Sequence, residues 1–157
     1  MPYYLRLDGI DGESMMRGHE KWFEIASFSW GVHNAVGPAR GGGAAVGRPV
    51  LEPLHVTLAS SVSVPLLFQT VVTGRHIATA TLDVVTAGEA PRSALKWDLE
   101  DVLLTSLELA GEGGAAPNEA LTLSYGKVTL TSTGQNPKGG VTPGTVASWD
   151  LGRNTTM

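Results

Sequence analysis

Hydrophobic and polar residues alternate along most of the chain, which is the pattern of β-strands with one buried face. The longest run spans residues 95–109, and we expect a strand there that bends or changes neighbours along its length. Within residues 119–132 the alternation slips at Gly126, which predicts a bulge. The remaining runs predict strands at residues 3–9, 20–32, 50–59, 76–85 and 144–152.

One segment has the period of a helix instead. Its apolar residues recur at intervals of three and four, at Val64, Leu67, Phe68, Val71 and Val72. Ser63 is a candidate N-cap, Pro65 suits a first turn, and Gly74 is a candidate C-terminal stop. We therefore expect a single amphipathic helix over residues 63–73.

These elements predict a mainly β fold, namely a compact β-barrel of two antiparallel sheets with one short amphipathic α-helix. A long glycine-rich extended loop is expected at residues 33–49. We see no internal repeat and no boundary for a second domain, so we expect one domain over residues 1–157. The predicted core residues are Trp22, Phe28, Trp30, Leu67, Phe68, Val71 and Trp97.

Composition then narrows the classes of protein. The absence of cysteine excludes disulfides and thiolate chemistry, and it fits folding in a reducing compartment. The N-terminus has neither a basic leader nor an apolar run, and no window reaches the about 18 apolar residues of a membrane span. The net charge of −4, with 11 scattered lysines and arginines, argues against nucleic acid as a partner. We expect neither an ordinary export signal nor a membrane partner.

Known catalytic and ligand-binding motifs are incomplete in this chain. Gly42 and Gly47 have the spacing of a phosphate-binding loop, but Arg48 and Pro49 occupy its Lys and Ser/Thr positions. A strand is predicted to follow, whereas the motif must open a helix. The zinc-binding and calcium-binding motifs are also incomplete. No nucleophile motif of a serine hydrolase is present. We predict no catalytic, cofactor-binding or metal-binding residue, no cofactor, and no enzymatic activity.

The glycine-rich loop is then the most informative feature of the sequence. About 17 residues without predicted secondary structure are unusual in a compact domain, and such loops are either functional or disordered. A flexible connector is one interpretation. Pro38 and Pro49, with Arg40 and Arg48, are not typical of a plain spacer, and they favour a surface made for a partner.

Seven segments, in order over nearly the whole chain, carry a resemblance to a known family. They are YLRLDGIDGES, GHEKWFEIASFSWGV, GGGAAVGRPVLEPLHVTL, SVPLLFQTVVTGRHIATATLDV, DLEDVLLTSLELAGEGG, EALTLSYGKVTL and SWDLGRN. As a set they resemble the haemolysin-coregulated protein (Hcp) family, the tube protein of bacterial type VI secretion systems. The neutral ASSVSV and the segment VTAGEAPRS depart from the family's usual charge, which leaves open a divergent branch or another contractile apparatus.

The resemblance implies a subunit that forms homohexameric rings, which stack into a tube driven outward by a contractile sheath. It implies spike and baseplate proteins as further partners, and small secreted effectors carried and chaperoned in the ring lumen. It also implies cytoplasmic synthesis followed by secretion through the type VI apparatus without a signal peptide.

On this basis two sets of residues become candidate assembly sites. The loop is expected to contact an adjacent subunit or ring through His33, Asn34, Pro38, Arg40, Gly41, Gly42, Gly43 and Arg48. The small polar residues Ser27, Ser29 and Gly31 are expected to line the lumen, unless they simply face solvent. A monomeric ligand-binding β-barrel remains an alternative, although the bulky inward residues argue for a filled interior.

Overall fold

The structure is a computed structural model that describes residues 1–38, 44–135 and 140–157. Its elements in chain order are β1 (Tyr3–Leu7), β2 (Phe23–Ile25), β3 (Ser27–Ser29), β4 (Val32–Pro38), β5 (Ala44–Leu51), β6 (Leu54–Ala59), α1 (Val64–Thr73), β7 (His76–Val85), β8 (Ser93–Ala110), β9 (Asn118–Ser124), β10 (Lys127–Gln135) and β11 (Val141–Asp150). The prediction of a mainly β fold with one short helix is confirmed.

The strands form two antiparallel sheets. The large sheet has the order β2-β1-β7-β8-β9-β6-β3, and β10 extends it by pairing with both β8 and β11. Strands β4 and β5 form the second sheet. The end strands β2 and β3 are joined through Ala26, whose amide donates to the carbonyl of Thr57 at 2.7 Å. Over the part of the chain described, the ladder does not close on itself, so the barrel is curled but open.

Strand β8 changes neighbours along its length, as its long alternation predicted. Its first part pairs with β10 and its second part with β9. Between them Asp101 has a φ of 53°, and a Cβ on Gly126 would lie only 3.1 Å from the Asp101 Cβ. The buried side shifts there from Leu99 to Val102. Contrary to expectation, the alternation of buried and exposed residues is therefore not continuous over residues 95–109. At Gly126, where we expected a bulge, β9 has ended and β10 is about to begin.

The core contains a cluster of aromatic rings. Trp97 is buried, while Phe28 and Trp30 are partly buried and pack against the core. The ring of Phe28 meets those of Tyr3 and Trp97 edge-on, at centroid distances of 5.0 and 5.2 Å. Such edge-to-face pairs add to the stability that burial of the rings provides.

Trp22 lies outside this core, contrary to the prediction. It is half-buried, and its ring meets that of His19 at 4.6 Å. Phe23 and Ile25 take the core side of β2 in its place. The reason is that the chain leaves one edge of the sheet and joins the other at Ala26, so alternation does not continue from β2 into β3.

Helix α1 agrees with its predicted bounds but not with its predicted inner face. Gly74 ends it in a left-handed conformation, with a φ of 64°. Leu67 is fully buried and Val71 partly buried, but Phe68 is 59% exposed. The prediction of Phe68 as a core residue was therefore wrong, because the buried side of the helix contains Leu67 and the polar Thr70 and is rotated away from Phe68.

The two ends of the barrel carry different elements. At one end, the helix end, β6 finishes at Ala59 opposite the first residue of β9, Asn118, and the chain continues into α1. At the other end, the arm end, Leu54 pairs with Leu123, and the second sheet precedes β6 directly. The helix and the second sheet therefore lie at opposite ends of β6 and β9.

Candidate functional site

The predicted loop is largely a β-hairpin, which we call the arm, formed by β4 and β5. Its pairing runs from Val32 opposite Leu51 to Pro38 opposite Ala44. The structure therefore has two paired strands where the sequence predicted an extended loop over residues 33–49, because strands with many Gly, Pro and Ala residues lack the alternation by which strands are recognised. Arg40, Gly41, Gly42 and Gly43 lie outside the described residues.

A bulge interrupts the arm at Ala35. The pairing register shifts between Asn34 and Val36, so Ala35 has no partner directly opposite. A Cβ on Gly47 would lie 2.3 Å from the carbonyl oxygen of Ala35, which only glycine allows. The bulge gives the arm a local bend, since bulged strands twist more strongly than regular ones.

The base of the arm is attached to the barrel by a chain of hydrogen bonds. The indole of Trp30 donates to the hydroxyl of Tyr125 at 2.6 Å, and that hydroxyl donates to the carbonyl of Glu52 at 2.7 Å. Burial raises the pKa of Tyr125 above its ordinary value, against the lowering effect of the Trp30 hydrogen bond. The phenol is therefore protonated and able to donate at neutral pH.

The predicted arm residues that the structure describes differ in their contacts. His33 is exposed, with Nδ1 3.8 Å from a carboxylate oxygen of Glu52. Arg48 is exposed and donates to the carbonyl of Leu151 at 3.3 Å. Asn34 is exposed beside Gly47, and Pro38 is the last residue of β4. His33, Asn34 and Arg48 thus lie in the half of the arm that adjoins the barrel.

Ser27 and Ser29 belong to a larger polar surface, which we call the hydroxyl face. It consists of Ser27, Ser29, His55, Thr57 and Thr122 on β3, β6 and β9. The hydroxyls of Ser27 and Thr57 are 2.5 Å apart, and Nδ1 of His55 is 3.1 Å from the hydroxyl of Thr122. Its five members are four hydroxyl side chains and one imidazole, so most of its hydrogen-bonding groups are neutral.

The third predicted lumen residue, Gly31, is placed elsewhere. It follows β3 and lies at the base of the arm, where its carbonyl accepts the amide hydrogen of Glu52 at 2.8 Å. The members that the sequence did not single out are His55, Thr57 and Thr122. Alternation placed His55 and Thr57 on a polar side, but only the strand order shows that they adjoin Ser29 and Ser27.

A groove lies between the base of the arm and the hairpin of β10 and β11. Its volume is about 600 Å³, and its walls are mainly apolar. The residues that shape it are Trp30, Val32, Leu51, Leu130, Ala147 and Trp149. We call this feature the apolar groove, and no sequence pattern predicted it because its walls come from three distant segments.

Two features are absent from the described ranges of the chain. No helix there is long and apolar enough to cross a membrane. No three His, Asp or Glu side chains are close enough together there to hold a metal ion.

Comparison with known proteins gives a consistent result. The family model described as "Type VI secretion system effector, Hcp" matches residues 4–131. No curated protein matches the sequence.

Solved structures resemble the chain over nearly its full length. A type six secretion system protein has a TM-score of 0.93 at 26% identity, with 99% of each chain covered. Hcp1 from Salmonella typhimurium has a TM-score of 0.78 at 25% identity, covering 99% of this chain and 98% of that one. A type VI secretion system effector from Yersinia pestis has a TM-score of 0.75 at 23% identity, covering 94% and 98%, and that likeness concerns the fold alone.

Proposed function

The chain belongs to the Hcp family of type VI secretion system proteins, and from this we propose that it assembles into hexameric rings that stack into the inner tube of such a system. Proteins of this family are secreted structural components that form rings. The single observation that carries the proposal is the agreement over 99% of both chains with a solved type six secretion system protein. Sheath, spike and baseplate proteins are the further partners that this role requires.

We assign the hydroxyl face to the lumen of the ring. A channel that carries folded cargo must not hold it too tightly, and short neutral side chains offer hydrogen bonds without strong charge attraction. Ser29, Thr57 and Thr122 supply such groups on neighbouring strands. The cargo that this surface suits is a small effector protein with a polar surface.

We assign the arm to contacts with an adjacent subunit or ring. As a separate two-stranded sheet it has little stability of its own, because an isolated hairpin buries too little surface. Docking on another copy would complete its burial and pair its free edges. In the half of the arm next to the barrel, His33 lies near Glu52 and Arg48 contacts Leu151. We therefore assign the contact with the neighbouring copy to the distal half.

Cysteine labelling tests the lumen assignment, because the chain has no cysteine of its own. Thr57→Cys in the assembled protein is expected to react with a small maleimide and to be protected from a maleimide on a large polyethylene glycol chain. Glu112→Cys, in the exposed connection between β8 and β9, is the control and should react with both. Equal labelling of Thr57→Cys by both reagents in intact rings would place the hydroxyl face on the outside.

A further inference from the structure

Helix α1 exposes an apolar surface that the fold does not use. Phe68 is 59% exposed and Val72, one turn later, is 63% exposed, and we call these two residues the helix ridge. The helix carries no charged side chain along its length. These two side chains lie one turn apart on the same side of the helix, and adjoining exposed apolar side chains are a candidate surface for a partner.

The apolar groove is the concave counterpart of this ridge. Trp30, Leu130 and Trp149 form its walls, and none of its lining residues carries a charge in the part of the chain described. Depletion of charge with enrichment of tryptophan is the composition of the buried centre of a protein interface. Ridge and groove are therefore both apolar, and removing them from water costs little free energy of desolvation.

Within one copy the two surfaces cannot meet. The ridge lies at the helix end, after Ala59, and the groove lies at the arm end, next to Leu51 and Trp30. Strands β6 and β9 separate them along their full length. Contact between ridge and groove is possible only between two copies, and it is a heterologous contact, since each copy contributes a different surface.

We propose that the helix ridge of one copy docks into the apolar groove of the next copy. The proposal rests on the proposed ring-forming function and adds to it the pair of surfaces that meet. Phe68 and Val72 would enter between Trp30 and Trp149, which buries the exposed helix surface and fills the groove. A head-to-tail contact of this kind leaves one free ridge and one free groove until a ring closes.

Cross-linking between two tagged versions of the full chain tests the proposal. One version carries Val72→Cys and the other Ala147→Cys, an exposed residue of the groove. Mixing and mild oxidation should give a disulfide-linked heterodimer that carries both tags. The control replaces Val72→Cys with Glu112→Cys, which is also exposed but off the ridge, and should give none.

A second measurement does not depend on cross-linking geometry. Phe68→Ser should weaken self-association about tenfold or more, while Gln69→Ser, also exposed on α1, should leave it unchanged. Because Phe68 is exposed in the single chain, its replacement should leave the folded monomer intact. Ring assembly without the heterodimer, or without an effect of Phe68→Ser, would overturn this contact and leave the proposed function standing. A chain that never assembles would overturn both.

Discussion

Trp30 and Tyr125, which are 95 residues apart in sequence, are joined by a hydrogen bond of 2.6 Å between the indole nitrogen and the phenol oxygen. The same phenol donates to the carbonyl of Glu52. One hydroxyl therefore connects the segment that enters the arm, the segment that leaves it and the residue that follows β9. This attachment fixes the direction in which the arm leaves the barrel.

Tyr125→Phe is expected to destabilise the fold by about 1–3 kcal/mol, because the indole of Trp30 loses its acceptor and the carbonyl of Glu52 loses its donor. Urea unfolding measures the change. Tyr3→Phe is a matched control, since the Tyr3 ring packs on Phe28 in the same cluster without a hydroxyl hydrogen bond in the part of the chain described. Equal losses in the two variants would contradict the bridging role of Tyr125.

Gly47→Ala should disturb the arm and leave the barrel intact. The added methyl group would lie 2.3 Å from the Ala35 carbonyl oxygen, so the bulge must open. We expect faster hydrogen exchange in β4 and β5, and weaker self-association, with little change in the global unfolding midpoint. Gly113→Ala, where no atom lies within 4 Å of the new methyl, should change neither property. If the barrel of this variant unfolded together with the arm, the expectation that the arm can be disturbed without the barrel would be refuted.

Glu119→Gln tests the cost of a buried carboxylate. Glu119 is 1% exposed, and one of its carboxylate oxygens has no hydrogen-bond partner. Burial raises the pKa of this carboxyl, with a smaller raising effect from Glu13, while hydrogen bonds from Ser61 oppose the shift. A carboxyl pKa that is higher in the folded state favours folding below the unfolded value of about 4.3 and loses that contribution as the pH rises.

The glutamine variant should therefore be more stable than the parent at neutral pH, by about 1 kcal/mol, with the gain shrinking toward pH 4. Denaturant unfolding at several pH values measures it. Glu112→Gln, at an exposed position, should show no such trend. A gain that is independent of pH would mean that ionisation of Glu119 is not its cause.

His19 is predicted to hold the long connection between β1 and β2 on the barrel. Its Nε2 lies 2.8 Å from a carboxylate oxygen of Asp83, whose other oxygen accepts the Ser93 hydroxyl hydrogen bond. Its ring also stacks on Tyr4 at 4.6 Å. His19→Ala removes the hydrogen bond to the Asp83 carboxylate, which should cost about 2 kcal/mol and speed proteolysis within residues 11–22. His76→Ala, at an exposed position, is the control, and similar behaviour of the two variants would argue against the anchor.

Local alternation predicted the strands well wherever a strand keeps one buried face. In β6 the inward positions Leu54, Val56 and Leu58 follow the pattern without interruption. It failed where the chain changes face, at Ala26 and at Asp101, because those shifts depend on which strands lie alongside. A single sequence does not show which strands pair with each other.

The candidate sites were predictable to a similar degree. Ser27 and Ser29 stood out because of their size and polarity, but their neighbours Thr57 and Thr122 lie on other strands, and Thr57 is 30 residues from Ser27. Phe68 was assigned to the core because it lies on the apolar stripe of the helix, but the buried side of the helix includes the polar Thr70 and leaves Phe68 exposed. The exposed position of Phe68 is the feature from which the contact between copies was inferred.

The ring is the central claim, and the most direct measurement is electron microscopy of the purified chain at micromolar concentration, with native mass spectrometry of the same sample. We predict rings of one diameter and a single hexameric mass built from the 16.4 kDa chain. Particles that remain monomeric at this concentration would contradict the account.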